Sequence, residues 1–498
     1  MISQELTYQI RLALHHEPTK EQEQAINKFA LFLTDRSQQA VMVMRGSAGT
    51  GKTTLAAAIV RAMLTMKQKI VLMAPTGRAA KVFSLYAGQP AFTIHRRIYR
   101  QKSFADLTSF KLNNNLHHDT LFIVDEASMI ARNASNDTFG SGSLLDDLIS
   151  FVYNDRNCRM LLIGDTAQLP PVGEEKAPAL MTDVLRGYGL SIHECDLNEV
   201  LRQSRESGIL YNATLIRDML SSNNELHTQL LMPRLKLKGF ADIAVVTGNE
   251  LIESLASSYS HAGIDETIVI TRSNKRANIY NQGIRRTILD REDEMNRGDQ
   301  LMIVKNNYNT SLGPSEGGKG VIDEECTSSF PPSGGPRGVF NGDRCIVQRL
   351  RNIHELYGFR FAEATLCFPD YDDCELTATV LLDTLTTEAP ALTREQQELL
   401  YNKVMEDYAD IPLKSERIKK LKSDSHYNAL QIKFGYAVTC HKAQGGQWAH
   451  VYIDQGYMTD DMVNADYIHW LYTALTRATE KVFLVNWSDK QLLEEKES

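Results

Sequence analysis

The chain is poor in cysteine and has no long apolar run, and each absence argues against a class of protein. Its seven cysteines are scattered through 498 residues without a C-x-x-C pair, which gives no indication of a zinc site or a disulfide framework and suits reduced cytoplasmic thiols. No apolar run approaches the roughly 20 residues of a membrane span, and Met1 to His16 lacks the apolar centre of a signal peptide. We therefore expect a cytoplasmic protein without a membrane partner.

Excess positive charge is also missing, since the net charge is -8. This argues weakly against a protein that coats nucleic acid by bulk charge, but a cleft can still be locally basic. The length exceeds what one hydrophobic core supports, so we expect two to four domains. The hydrophobic fraction of 43% is ordinary for a globular protein.

A glycine-rich stretch at residues 46–53, GSAGTGKT, fits the phosphate-binding pattern G-x-x-x-x-G-K-[ST]. An apolar run of strand length precedes it, and a run of helix formers follows it, so a helix N-terminus would face the phosphates. Lys52 would reach the β- and γ-phosphates of ATP, and the Thr53 hydroxyl would bind Mg²⁺. The predicted loop comprises Gly46, Ser47, Ala48, Gly49, Thr50, Gly51, Lys52, Thr53 and Thr54.

Two further apolar runs end in polar residues that suit the same site. Residues 121–124 lead into Asp125 and Glu126, which predict a Mg²⁺ ligand and the residue that orients the attacking water. Residues 160–164 lead into a segment containing Gln168, which is placed to sense the γ-phosphate. Alternating strands and helices through this half predict a doubly wound parallel sheet.

Several features allow two interpretations from the residues alone. Gln22 can complete a capping box with Thr19, which we favour in isolation, or read an adenine edge. Arg96 to Asp119 mixes basic and aromatic residues, which suits either a nucleic-acid contact or a solvated loop. Arg202 can be a surface residue or a guanidinium that neutralises transition-state charge. The charge run Ser415 to Lys422 is typical of a solvated helix face.

The second half predicts a small barrel and a second sheet. Short β-rich runs between 345 and 380 alternate with turns, and an amphipathic helix follows at 393–408. The strand pattern of a sheet is found at 267–272, followed by a helix start at Asn274, and again at 434–440 and 482–485.

The motifs taken together resemble those of superfamily 1 helicases, within them the RecD-like and Dda-like group that moves 5′ to 3′. In chain order they are PTKEQ from Pro18, GSAGTGKTT from Gly46, APTGRAAK from Ala74, TIH from Thr93, VDEAS from Val124, GDTAQLPPV from Gly164, LNEVLRQ from Leu197, NGD from Asn341, AVTCHKAQGGQ from Ala437 and YTALTRA from Tyr472.

The resemblance implies an α/β fold with two RecA-like P-loop motor domains, a small pin insert and an SH3-like β-barrel insertion. On this basis residues 1–195 form the first motor domain, with the pin at 96–119. Residues 196–344 and 436–498 form the second motor domain, and residues 345–435 form the barrel with a helical segment.

The resemblance also implies roles for individual residues. Gln22 becomes the adenine reader, which reverses the preference for a cap alone. Arg202 and Arg477 become arginine fingers from the second motor domain, and Gly445 a nucleotide contact. The residues implied to line the single-strand track are Pro75, Thr76, Thr93, His95, Arg272, Asn274, Thr439, His441 and Lys442. The expected cofactors are ATP and Mg²⁺, and the expected partners are single-stranded DNA and tailed duplex DNA, bound by a monomer.

The chain departs from the family pattern in two places. Ala443 and Gln447 stand where the family often has a serine and an acidic residue, so Gln447 is assigned no role. The segment 311–337 is longer and richer in glycine than the pattern requires.

Three rival functions stay open at this point: an RNA helicase of the same superfamily, a nucleotide-gated remodelling protein that does not unwind, and a small-molecule kinase. The kinase leaves the second half unexplained. The two predicted arginine fingers argue against a passive switch, which has no need of rapid charge neutralisation.

Overall fold

Two parallel sheets, a hairpin and a closed barrel make up the fold. The computed structural model describes residues 2–37, 39–103, 106–133, 140–200, 206–226, 232–307, 339–371 and 373–493. None of the described helices combines the length and apolar character needed to cross a membrane.

The first half of the chain forms a six-stranded sheet with a separate hairpin. Its strands are β1 Ala40–Gly46, β2 Lys69–Ala74, β3 Ala91–Thr93, β4 Tyr99–Ser103, β5 Asp106–Leu112, β6 Thr120–Val124, β7 Arg159–Gly164 and β8 Ser191–Leu197. The sheet has the order β3-β2-β6-β7-β1-β8, with every pairing parallel, while β4 and β5 pair only with each other. Its helices are α1 Ile2–Leu14, α2 Lys20–Thr34, α3 Lys52–Thr65, α4 Gly77–Ala87, α5 Ile94–Ile98, α6 Leu144–Val152 and α7 Thr182–Arg186.

Strand β1 shows why this half folds as a doubly wound sheet. Met42 and Met44 belong to a core built with α1, α2 and α3, whereas Val41 and Val43 belong to a core built with α6. Successive side chains of a strand point to opposite faces, so both faces of β1 are covered by helices. This accounts for the uninterrupted apolar run that precedes the glycine-rich loop.

The second half forms a five-stranded parallel sheet into which a barrel is inserted. Its strands are β9 Ile243–Val246, β10 Thr267–Thr271, β11 Gln300–Ile303, β12 Arg344–Leu356, β13 Phe359–Phe368, β14 Cys374–Leu381, β15 Leu430–Phe434, β16 Ala437–Thr439, β17 Trp448–Asp454 and β18 Ala478–Val485. The sheet order is β16-β10-β17-β18-β9, and β11 to β15 close the barrel. The helices are α8 Gly208–Leu226, α9 Leu251–His261, α10 Asn274–Gly283, α11 Arg394–Asp407, α12 Lys414–Ser423, α13 Cys440–Ala443 and α14 Ala465–Leu475, with a π-helical turn at Ile284–Ile288.

This architecture confirms the predicted fold class, with two differences in where the parts begin. The barrel starts with β11 at Gln300, well before the predicted boundary at 345, because a four-residue strand separated from its partner by a long segment leaves little periodic signal. The first sheet runs to Leu197, slightly beyond the predicted boundary at 195. The hairpin β4–β5 lies within the predicted pin at 96–119, and the segment 311–337 lies outside the described residues.

Candidate nucleotide cleft and strand track

The glycine-rich loop connects β1 to α3 as a cradle of backbone groups. Gly49 and Gly51 have φ of 76° and 79°, in the left-handed region that favours glycine. Thr50 Oγ1 donates to the Ser47 carbonyl at 2.8 Å, which holds the loop closed on itself. No side chain caps the N-terminus of α3, so its first N–H groups are available to an anion.

Lys52 and the two acidic residues meet at the carboxyl edge of the first sheet. Lys52 Nζ donates to the Ser47 carbonyl at 2.8 Å and lies 3.8 Å from Asp165 Oδ2. Desolvation and the adjacent Glu126 carboxylate raise the pKa of Asp125 to about 7, against the opposing charge of Lys52. A divalent cation there would relieve both effects, so the oxygen donors Thr53 and Asp125 fit Mg²⁺.

Glu126 has a strained backbone. Its φ and ψ of 52° and 38° place a non-glycine residue in the left-handed region, a conformation that costs free energy and concentrates at functional sites. The left-handed residue lies just after the end of β6, where the predicted Mg²⁺ ligand Asp125 and Glu126 are found.

Gln168 and Gln22 are the two glutamines predicted to contact the nucleotide. The Gln168 side-chain oxygen is buried, and no described residue donates to it, so its role as a γ-phosphate sensor stays a prediction. Gln22 is fully buried and forms the capping box with Thr19. Its amide also donates to the Thr50 carbonyl at 3.0 Å. The cap that we favoured in isolation is therefore present, and adenine reading stays a prediction.

Arg477 brings the second motor domain close to Glu126. It follows α14, and its guanidinium lies 3.9 Å from Glu126 Oε1. Hydrogen bonds of 3.1 and 3.2 Å to the carbonyls of Thr473 and Gly446 hold the guanidinium in place. The predicted arginine finger is thus beside the nucleotide residues, while Arg202 lies outside the described residues.

Tyr472 also reaches the glycine-rich loop, and sequence reasoning assigned it no role. Its hydroxyl donates to Asp165 Oδ2 at 2.6 Å and accepts from the Ala48 N–H at 2.9 Å. The only available signal was its place in the YTALTRA string, five residues before Arg477. Tyr472 therefore ties α14 to two segments of the first motor domain.

Helix α8 makes a second unpredicted contact with the loop. The Arg217 guanidinium donates to the Ser47 hydroxyl, and a Cβ on Gly49 would lie 3.1 Å from the Leu210 side chain. Arg217 also lines an opening of about 880 Å³ between the motor domains, together with Asp165 and Gln168. No sequence pattern marked Arg217.

The track residues of the first motor domain lie where β2 and β3 end. Thr76 and Thr93 cap α4 and α5 through their hydroxyls, which accept from the backbone N–H groups of Ala79 and Arg96. Pro75 precedes Thr76 at the same edge. Desolvation lowers the pKa of His95 to about 4, so its ring is neutral near pH 7 and attracts no phosphate by charge.

Three of the five residues predicted to line the strand track in the second motor domain lie along a groove of about 400 Å³. Arg272, Thr439 and His441 line it, together with residues 169–174 of the first motor domain. The Lys442 ammonium is buried without a hydrogen-bond partner among the described residues. Desolvation, aided by nearby Lys433, lowers its pKa to about 8.

Two further predicted site residues stay predictions. Asn274 begins α10 and is not among the residues that line this groove. Gly445 was predicted to contact nucleotide, and a Cβ there would lie 3.0 Å from the Ala79 side chain and 3.1 Å from Thr76 Oγ1. The carbonyl of the next residue, Gly446, accepts a hydrogen bond from Arg477.

The first parallel sheet carries the phosphate-binding loop, and Arg477 of the second motor domain lies beside Glu126 at the edge of that sheet. This arrangement is typical of a two-domain nucleotide-driven motor. Residues 17–223 match the family described as an AAA domain. Residues 434–485 match the family described as a UvrD-like helicase C-terminal domain.

Individual relatives point the same way. The chain is 34% identical to an ATP-dependent RecD2 DNA helicase of Deinococcus radiodurans over 26% of this chain and 16% of that protein. It is 25% identical to the ATP-dependent DNA helicase dda of Enterobacteria phage T4 over 54% of this chain and 57% of that one. These matches thus span about a sixth and just over half of the relatives' lengths. A Bacteroides Pif1 helicase structure aligns over 96% of this chain and 95% of its own, with 15% identity and a TM-score of 0.45.

These matches support a superfamily 1 helicase, as the ordered motifs predicted.

Proposed function

We propose that this helicase is an ATP-driven DNA motor that moves 5′ to 3′ along one strand and separates duplex. The observation that carries the proposal is the approach of Arg477 to Glu126, 3.9 Å apart across the two motor domains. A guanidinium so placed neutralises charge that develops on the transferred phosphate, the main catalytic need in phosphoryl transfer. ATP would be the link between the two sheets.

Each residue of the cleft then has a distinct task. Lys52 binds the β- and γ-phosphates, Gln168 senses the γ-phosphate, and Gln22 contacts the adenine edge. Glu126 orients the attacking water and accepts its proton. Thr53 and Asp125 would hold Mg²⁺, which supplies charge neutralisation at the phosphates.

Contacts between the segment after β7 and α14 would pass the nucleotide state to the strand track. The Leu169 N–H donates to Thr473 Oγ1 at 2.8 Å, and the Gln444 amide donates to the Leu169 carbonyl at 2.6 Å. Gln444 directly follows α13, which carries His441 and Lys442. Closure of the cleft around ATP would therefore shift the track residues relative to residues 169–174.

Strand contacts of this kind predict binding that tolerates any sequence and weakens with salt. We also propose that the protein acts as a monomer in the cytoplasm, where the reducing environment suits its cysteines. Buried position raises the thiol pKa of Cys195, Cys345 and Cys440, which fits structural thiols without redox chemistry.

Unwinding of tailed duplexes tests the proposal. We expect strand separation with a 5′-tailed duplex, ATP and Mg²⁺, and none with a 3′-tailed duplex. Lys52→Ala serves as the control: it should abolish ATP hydrolysis while single-strand binding persists. Unwinding from the 3′ tail alone would contradict the direction, and hydrolysis stimulated by RNA but not DNA would contradict the substrate. Stimulated hydrolysis without any unwinding would indicate a remodelling protein.

A further inference from the structure

Helices α11 and α12 of the barrel insertion differ sharply in how their charges are balanced. In α11, Arg394 and Lys403 pair with Glu398 and Glu406, each at 3.1 Å. Helix α12, with the sequence KSERIKKLKS, contains five basic residues and only one glutamate. This local excess occurs in a chain whose net charge is -8.

The positive charges of α12 are exposed and held on a fixed element. Lys414, Lys419 and Lys420 are exposed, and no carboxylate of the described ranges forms an ion pair with them. Leu421 anchors the helix in a small core with Phe361 and Val404. The lysines are therefore presented to solvent by a helix that cannot turn them inward.

The hairpin next to α12 adds two more unbalanced charges. Helix α12 lies against β5, where Lys111 stands opposite Arg100 of β4 in the strand register. Both side chains are exposed. Like charges directly opposite each other destabilise a hairpin, so this pairing makes sense where a polyanion neutralises it.

We propose that Arg100, Lys111, Lys414, Lys419 and Lys420 form a basic surface that binds the phosphate backbone of duplex DNA ahead of the point of strand separation. This inference rests on the proposed function and on the predicted pin at 96–119, within which the hairpin lies. Helix α12 contains no aromatic residue, whereas platforms for single strands combine basic residues with aromatic rings that stack bases. The charge of α12, without rings for stacking, suits paired bases, whose phosphates are all that the helix can reach.

A pair of matched variants tests this surface. Lys419→Gln/Lys420→Gln removes two charges from α12, and Arg394→Gln/Lys403→Gln removes two from the ion pairs of α11. Binding is measured by fluorescence anisotropy over a salt series, using a labelled 5′-tailed duplex and the same tail as a single strand. Thermal unfolding of each variant confirms an intact fold.

We expect the α12 variant to lose affinity for the tailed duplex but not for the single strand. The α12 variant should bind the tailed duplex about tenfold more weakly at low salt and lower the salt slope by about 2, since each phosphate contact contributes roughly one unit. Its affinity for the tail alone and its strand-stimulated ATP hydrolysis should be unchanged, and the α11 variant should match the wild type in every measurement.

Other outcomes overturn the proposal. Equal losses on tailed duplex and tail alone would assign α12 to the tracked strand. Equal losses in both variants would mean that only bulk charge matters. Unchanged DNA binding would leave an acidic protein surface as the class of partner. Failure of the proposed function is distinguishable, because it would appear in the wild type as hydrolysis that single strands do not stimulate.

Discussion

The nucleotide cleft and the strand track treat their cations in opposite ways. In the cleft, Lys52 and Arg477 have protein partners: the Ser47 carbonyl for one, and the Thr473 and Gly446 carbonyls for the other. On the track, the Lys442 ammonium is buried without a partner within the described chain. An unpartnered buried charge is costly, so the cleft is preorganised by the protein, whereas we expect a ligand to complete the proposed track.

Among the variants that test this comparison, removal of the predicted arginine finger Arg477 should have the largest effect on activity. We expect Arg477→Ala to lower the turnover number of strand-stimulated ATP hydrolysis by about 10³-fold, because a guanidinium at the transferred phosphate contributes at least that much in related chemistry. Steady-state kinetics at saturating single strand measure it. Arg477→Lys should restore little, since lysine lacks the planar fork of donors. A loss of less than about tenfold would show that the cleft does not depend on Arg477.

Loss of the Tyr472 hydroxyl should give a smaller effect in the cleft. Tyr472→Phe leaves Asp165 Oδ2 and the Ala48 N–H without this partner, which costs about 1–3 kcal/mol. We expect ATP hydrolysis to fall roughly tenfold, because a loss of this size in the transition state slows the reaction by about that factor.

Tyr467→Phe is the matched control for Tyr472→Phe. Tyr467 lies on the same helix, but its hydroxyl donates to Gln455 at 2.7 Å, away from the glycine-rich loop. Similar losses in the two variants would mean that α14 is merely destabilised, and the contact with the loop would lose its significance.

Single-strand binding at the proposed track should depend on pH near the lowered pKa of Lys442. The lowered pKa of Lys442, about 8, means that its charge is present below that pH and lost above it. Single-strand affinity should therefore fall a few-fold as pH rises through about 8, measured by anisotropy at constant ionic strength. Lys442→Met should bind weakly at all pH values and remove the step.

Lys433 offers a finer test of the same effect. Its charge helps to lower the pKa of Lys442, so Lys433→Met should move the step in affinity to higher pH. A step that stays in place would mean that Lys433 does not act on Lys442. A step that survives in Lys442→Met would assign the titration to another group of the track.

The parts of the cleft that are local in sequence could be predicted, whereas contacts between distant segments could not. The glycine-rich loop and the pair Asp125–Glu126 are each a short continuous segment directly after a strand of one parallel sheet, so the sequence pattern alone locates them. Tyr472 was missed because its partner Ala48 lies 424 residues away, and their contact depends on how two domains dock. Gln22 was ambiguous because one amide serves both as cap and as a contact of the loop.

The track residues were predicted from the resemblance to the family, and the structure places them in different environments. Thr93 is buried at 2% exposure and occupied as a helix cap, whereas Lys442 awaits a partner. Residue type and spacing do not report desolvation, which depends on the packing of distant segments. The burial and hydrogen bonds of each side chain therefore distinguish a candidate phosphate contact from a structural residue.

The order of strands has a consequence for how the protein is made on the ribosome. The first sheet can be completed once Leu197 has emerged, but within the described ranges β9 pairs only with β18, and β10 pairs with β16 and β17. At translation rates of about 5–20 residues per second, β9 waits on the order of 10–50 s for its neighbour. During that interval its apolar residues, and those of β10, are open to aggregation. The nascent second motor domain is thus the part of the chain that most needs a chaperone.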